Sequence, residues 1–126
     1  MLPMARPDEI YAMVGDSGFR ALVDDFYQRV EADEALRAVF PPDLTEGKEH
    51  QYLFLRQYFG GPDEYSSKYG HPMLRRRHFP FAIDRAARDA WLAHMLAAID
   101  AVPIPEPAAG VMRAYFTEFS LAMINR

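Results

Sequence analysis

Cysteine is absent from the 126 residues, which excludes disulfide scaffolds, thiolate zinc sites, iron–sulfur clusters and cysteine nucleophiles. Any cofactor must be held by His, Tyr, Met or carboxylates. Positive charge is also short, since 14 Lys and Arg against 18 Asp and Glu leave a formal net charge of -4. A dedicated nucleic-acid binder carries the opposite balance. The longest apolar stretch, around Ala90 to Val102, is broken by His94 and Asp100 and is too short to cross a bilayer. Arg6, Asp8 and Glu9 interrupt Met1 to Val14, so that segment lacks the apolar stretch of a secretory signal. The expected location is the cytoplasm, with neither membrane nor nucleic acid as a partner.

Strand alternation is missing as well, and apolar residues at helical spacing take its place. Hydrophobic residues make up 50% of the chain and aromatic ones 13%, enough to fill the core of one all-α domain covering residues 1–126. Ser17 is the predicted cap of a helix with Phe19, Leu22, Val23, Phe26, Tyr27 and Val30 on one face. A short helical piece from Asp33 to Phe40 is stopped by Pro41 and Pro42. Thr45 is the predicted cap of a helix running to about Phe59, with Gly47, Gln51, Phe54, Leu55 and Tyr58 aligned. Gly60-Gly61-Pro62 ends it, and Asp63 to Gly70 reads as loop. A short helix after His71-Pro72 carries Arg75, Arg76, Arg77 and His78. Asp84 caps a long helix with Ala87, Trp91, Met95 and Ala98 in one stripe. Pro103 to Pro107 is a stiff connector, and a last helix from about Ala108 to Ile124 buries Met112, Tyr115, Phe116, Phe119 and Met123.

The four histidines, His50, His71, His78 and His94, include no pair at the i, i+3 or i, i+4 spacing that puts two imidazoles on one metal. A lone histidine can still hold a haem iron, because the porphyrin supplies four nitrogens. His78 suits that role best. It closes a short helix just before the apolar segment Phe79, Phe81 and Ile83, although the same position would also suit a histidine that merely caps the helix. His50 reads as a surface or rim residue, His71 as a loop-holding residue and His94 as a partly buried core residue. The run Arg75-Arg76-Arg77 reads as a solvated face, as a short nucleic-acid patch, or as a clamp for carboxylates beside His78. In the clamp reading, Arg75 shares the side of His78 and Arg77 lies at the rim.

Tyr27, Gln51 and Trp91 fall where the pattern demands core, so each polar atom needs a partner. They could converge on one small polar ligand, or be ordinary core residues with incidental bonds. Gly47 is costly in mid-helix, by about 1 kcal/mol relative to alanine, which points to close approach of a bulky group or to an open route inward.

Five blocks then resemble the group II truncated haemoglobins: Asp25 to Val30, Val39 to Leu44, Gln57 to Pro62, Gly70 to Phe81, and Asp89 to Leu92. The resemblance implies a two-on-two helical sandwich around haem b, with an irregular loop before the histidine that ligates the iron. It implies His78 as that metal ligand, and Tyr27, Gln51 and Trp91 as distal donors. Phe40 would lie against the distal side of the haem, with Gly47 where other globins often carry a histidine. Phe54, Leu55, Phe81, Arg75 and Arg77 complete the expected cofactor contacts. O2, CO and NO are the implied ligands. Oxygen transport is one role; NO detoxification by dioxygenation and peroxidase-like chemistry are others that would require a separate reductase. A monomer or homodimer is expected, and a non-haem helical interaction module is the alternative. Three positions depart from the family pattern: the glycine pair after the first helix is Gly15-Asp16-Ser17-Gly18, Phe40 replaces the tyrosine of some relatives, and Gly47 is unusually small.

Overall fold

A computed structural model describes residues 5–126, all of whose regular elements are helical. A 3-10 turn at Pro7–Glu9 leads into α1 (Ile10–Glu31), followed by α2 (Glu34–Arg37), α3 (Thr45–Tyr58), α4 (Glu64–Tyr69), α5 (Leu74–His78), α6 (Arg85–Ala101) and α7 (Ala108–Leu121). Helix α1 packs on both α3 and α6, and α6 packs on α7. The pairs α1/α3 and α6/α7 make the two-on-two arrangement. Among the described residues, no helix is long and apolar enough to cross a membrane.

The predicted stripe of α1 is buried throughout: Phe19, Leu22, Val23, Phe26 and Val30 are fully enclosed. The helix begins earlier than Ser17, however. Its first turns start at Ile10 and are broken at Gly15 (φ 72°, ψ 173°), a backbone conformation that only glycine adopts without strain. Beyond the break, Asp16 accepts hydrogen bonds from the Tyr11 hydroxyl (2.6 Å) and from Arg56 (3.1 Å). Those two bonds hold the Asp16 carboxyl below the usual carboxylate range. Arg56, nearly buried on α3, also donates to Glu64 (2.6 Å) and so ties α1, α3 and α4 together.

Other boundaries differ for local reasons. Helix α2 spans only Glu34–Arg37, with turn bonds continuing to Phe40, because a residue before proline disfavours the helical region. Asp33 is its cap, accepting from the Leu36 N–H at 3.2 Å. Thr45 is not the cap of α3; the Asp43 carboxylate accepts the Thr45 N–H at 2.9 Å. The segment predicted as loop contains α4. Gln57 holds both the N–H and the hydroxyl of Ser66, Glu64 pairs with Lys68 one turn on, and Tyr65 is buried. Asp84 caps α6 as expected, through the Ala87 N–H at 2.8 Å. Helix α7 ends at Leu121, short of Ile124, and the following residues form a tail bonded to Ile83.

Candidate functional site

A cavity of about 460 Å³ lies between the two helix pairs, within the range of small-ligand sites. Its wall is mostly apolar. Leu36, Val39 and Phe40 come from α2 and the turn after it, and Gly47, Gln51, Phe54 and Leu55 from α3. Leu74, His78, Phe81 and Ile83 come from α5 and the segment beyond, Trp91 from α6, and Tyr115, Phe116 and Phe119 from α7. Tyr27 reaches it from α1. A second, more open cleft of about 540 Å³ lies on the far side of Tyr27, lined by Gln28, Glu31, Arg37, Thr45 and Lys48. Its lining is mainly polar, and the 460 Å³ cavity, with its mostly apolar wall, is the better site for a small ligand.

Tyr27, Gln51 and Trp91 are among the polar side chains of the long helices that line it. Tyr27 is 7% exposed, and burial pushes its phenol up to about 12. The hydroxyl thus stays protonated, a hydrogen-bond donor, throughout the neutral range. Phe26 and Phe40 meet its ring edge to face, at centroid distances of 5.5 and 6.0 Å, and hold its orientation. Gly47 is what makes room for it, since a Cβ at Gly47 would stand 3.3 Å from the Tyr27 oxygen. Gln51 presents a buried Oε1 that has no hydrogen-bond partner and takes none from the Tyr27 hydroxyl. A buried amide oxygen left alone costs about 1–3 kcal/mol, so this atom calls for a donor such as a water in the cavity. Trp91 is held between Phe26 (5.2 Å) and Phe116 (5.8 Å).

His78 closes α5, a helix of five residues entered through Met73 in the left-handed region (φ 45°). The His71 ring accepts the Met73 N–H at 3.1 Å, which is the loop-holding role expected of His71. The Nδ1 of His78 lies 2.6 Å from the Leu74 carbonyl, an acceptor only. In the neutral imidazole this contact puts the proton on Nδ1 and the lone pair on Nε2. A carbonyl behind the imidazole is the usual support of a metal-ligating histidine.

Arg77 also lines the cavity, with its guanidinium donating to the carbonyls of Pro72 (2.7 Å) and Tyr69 (3.1 Å). Arg75 does not reach the cavity. Leu74, Arg77 and His78 make the inward ridge of α5, and at about 100° per residue Arg75 is turned away from its centre and is exposed. His94 faces elsewhere, with Nε2 2.7 Å from the carboxylate of Asp33. His50, expected at the surface or rim, is a wall residue. It lies against Tyr69 at 4.2 Å between centroids, its Nε2 is buried without a hydrogen bond, and Glu46 stands 3.6 Å away. The spacing of Gly47, His50, Gln51 and Phe54 is the i, i+3, i+4, i+7 pattern, so the signal for His50 was present.

The lining fits a largely apolar group that carries a coordinating centre and anionic substituents. His78 offers an imidazole nitrogen, Arg77 a guanidinium and His50 a buried Nε2 without a hydrogen bond, and Tyr27 a buried hydroxyl.

Comparisons with known proteins agree with that reading. The family model for bacterial-like globins matches residues 9–125. The group 2 truncated haemoglobin YjbI of Bacillus subtilis is 48% identical over 92 residues, which are 73% of this chain and 70% of that protein. Among solved structures, the haemoglobin of Chloroflexus aurantiacus superposes with a TM-score of 0.91 at 57% identity, covering 94% of this chain and 98% of that one. The truncated oxygen-avid haemoglobin of Bacillus subtilis gives 0.88 at 39% identity, covering 93% and 99%. With an all-helical two-on-two fold around an apolar cavity that holds a supported histidine, the chain belongs to the bacterial-like globins, as a group II truncated haemoglobin.

Proposed function

We propose that the cavity takes haem b, that His78 is its protein ligand through Nε2, and that the protein binds O2 reversibly. The observation that carries this is the pairing of two features in one mostly apolar cavity wall: an imidazole whose Nδ1 rests on a backbone carbonyl, and a buried Tyr27 hydroxyl that stays protonated and can donate. Haem would supply the iron, four of its ligands, and one position for a diatomic molecule such as O2, CO or NO.

The chain's own residues do the rest. Leu74 fixes the imidazole through Nδ1. Phe40, Phe54, Leu55 and Phe81 would exclude water from the cofactor, and Arg77 and His50 would be the groups available to its carboxylates. The Tyr27 hydroxyl and Trp91 N–H would be the donors offered to a bound diatomic molecule, the logic of a preorganised oxyanion site. The Gln51 amide orients beside them. One relative is described as oxygen-avid, which suits a wall with this many donors.

The test is the absorption spectrum of the purified protein, ferric and then dithionite-reduced, before and after CO. A haem spectrum that shifts on CO addition is expected. A colourless protein that also refuses added hemin overturns the proposal, and leaves a helical module for binding a partner protein.

A further inference from the structure

Past α7 the chain turns back across the cavity floor, and its tail is fastened to the stretch that follows His78. Met123 lines the cavity, and two residues later Asn125 makes a set of bonds to the His78–Ile83 backbone. The Asn125 Nδ2 donates to the carbonyls of His78 (3.2 Å) and Phe81 (2.9 Å), and its Oδ1 accepts the Ile83 N–H at 2.9 Å. The backbone N–H groups of Asn125 (2.8 Å) and Arg126 (3.2 Å) both donate to the Ile83 carbonyl. Two carbonyls and one N–H fix the amide's orientation, because only one assignment of its O and N gives every group a partner.

This clamp does what α5 cannot do alone. A helix of five residues has little intrinsic stability. Its inner end is held through Leu74 and Arg77, but its outgoing end passes into the Phe79–Ile83 segment, where Phe79 is 68% exposed. Without the tail, the His78 carbonyl would keep only the Phe81 N–H (3.0 Å). Asn125 therefore fixes where the backbone of His78 lies relative to α7, and α7 supplies Phe116 and Phe119 to the same cavity.

We infer that Asn125 is a positioning residue for His78: its carboxamide bolts the outgoing end of α5 to the chain after α7 and so sets the reach and tilt of the His78 imidazole toward a bound metal. The inference rests on the haem reading above. It differs from simple tail packing in one respect. Asn125→Asp keeps the shape of the side chain and the acceptor for Ile83, but turns both donors into an anionic oxygen facing two carbonyls. Loss of tail packing alone would lower stability and leave the iron–histidine band in place; loss of positioning would move the band.

The experiment uses the full-length protein loaded with hemin and reduced. The wild type comes first: an iron–histidine stretching band in its resonance Raman spectrum is expected. Absence of that band in the wild type, or its persistence at the same frequency in His78→Ala, defeats the haem-ligand reading and this inference with it. Given the band, Asn125→Asp should shift or broaden it and release haem to an apomyoglobin acceptor roughly tenfold faster, the scale of losing the support of a metal ligand. Asn125→Ala should move both readouts in the same direction by less. An unchanged band and an unchanged release rate in Asn125→Asp overturn the positioning role while leaving His78 as the ligand. If Asn125→Asp does not accumulate as folded protein, the band and release rate of Asn125→Ala decide the matter in the same way.

Discussion

The two parts of the cavity wall are built by different means. Tyr27, Gln51 and Trp91 belong to long helices locked into a close-packed core, with Phe19, Phe26, Met95 and Met112 fully buried. His78 belongs to a five-residue helix with no buried residue of its own. It is held by bonds to backbone carbonyls: Nδ1 on Leu74, Arg77 on Pro72 and Tyr69, and Asn125 on His78 and Phe81. Packing over many residues fixes the first part, and a few hydrogen bonds fix the second. A single substitution should therefore displace the His78 side more easily than the side that carries the donors.

The largest effect expected is on that weaker side. His78→Ala should lower hemin affinity by at least roughly 100-fold, measured by titration in the Soret region, and added imidazole should restore part of it. Retained affinity would mean that another base ligates the iron. On the rigid side, Gly47→Phe fills the space in front of Tyr27, where even a Cβ comes within 3.3 Å of the hydroxyl. It should slow CO association by about tenfold, or ~1.4 kcal/mol of barrier, without changing the iron–histidine band. An unchanged rate in flash photolysis would place the route of ingress elsewhere.

Arg77→Ala comes next, with a few-fold faster haem loss, since the arginine lies at the rim and much of its bonding is to its own loop. The smallest effect is a titration. The phenol of Tyr27 is raised from 10.0 to about 12 by burial, so its contribution to stability is complete below pH 10 and is lost as pH rises through 12. Absorbance titration should show one tyrosine fewer ionising in that alkaline window in Tyr27→Phe, with the rest unchanged. A Tyr27 that ionises with the exposed tyrosines would show that the hydroxyl is wet.

The same division explains what could be read in the sequence. The stripes of α1, α3 and α6 follow from helical period alone, so Tyr27, Gln51 and Trp91 stand out as polar residues in apolar positions. Position on a stripe also gives burial, and burial gives the demand for a partner. Residues that act through loop bonds carry no such period. Within Asp63 to Gly70 only the i, i+4 pair of Glu64 and Lys68 announces α4, whose stability comes largely from Gln57 and Arg56 on α3 gripping Ser66 and Glu64. Asn125 is one polar residue near the chain's end, and its role depends on where α7 delivers it. Arg75 looked inward only because the ridge of α5 could not be centred until Leu74 was known to face the cavity. His50 fitted the period of α3, and its polarity alone disguised it.

The central claim is that donors on the rigid helices would stabilise bound O2. It is tested most directly by stopped-flow release of O2 from the ferrous protein, comparing the wild type with Trp91→Phe and Tyr27→Phe. Each substitution should accelerate release, by about tenfold for every ~1.4 kcal/mol of hydrogen bonding removed. Release rates equal to the wild type in both variants would contradict the account.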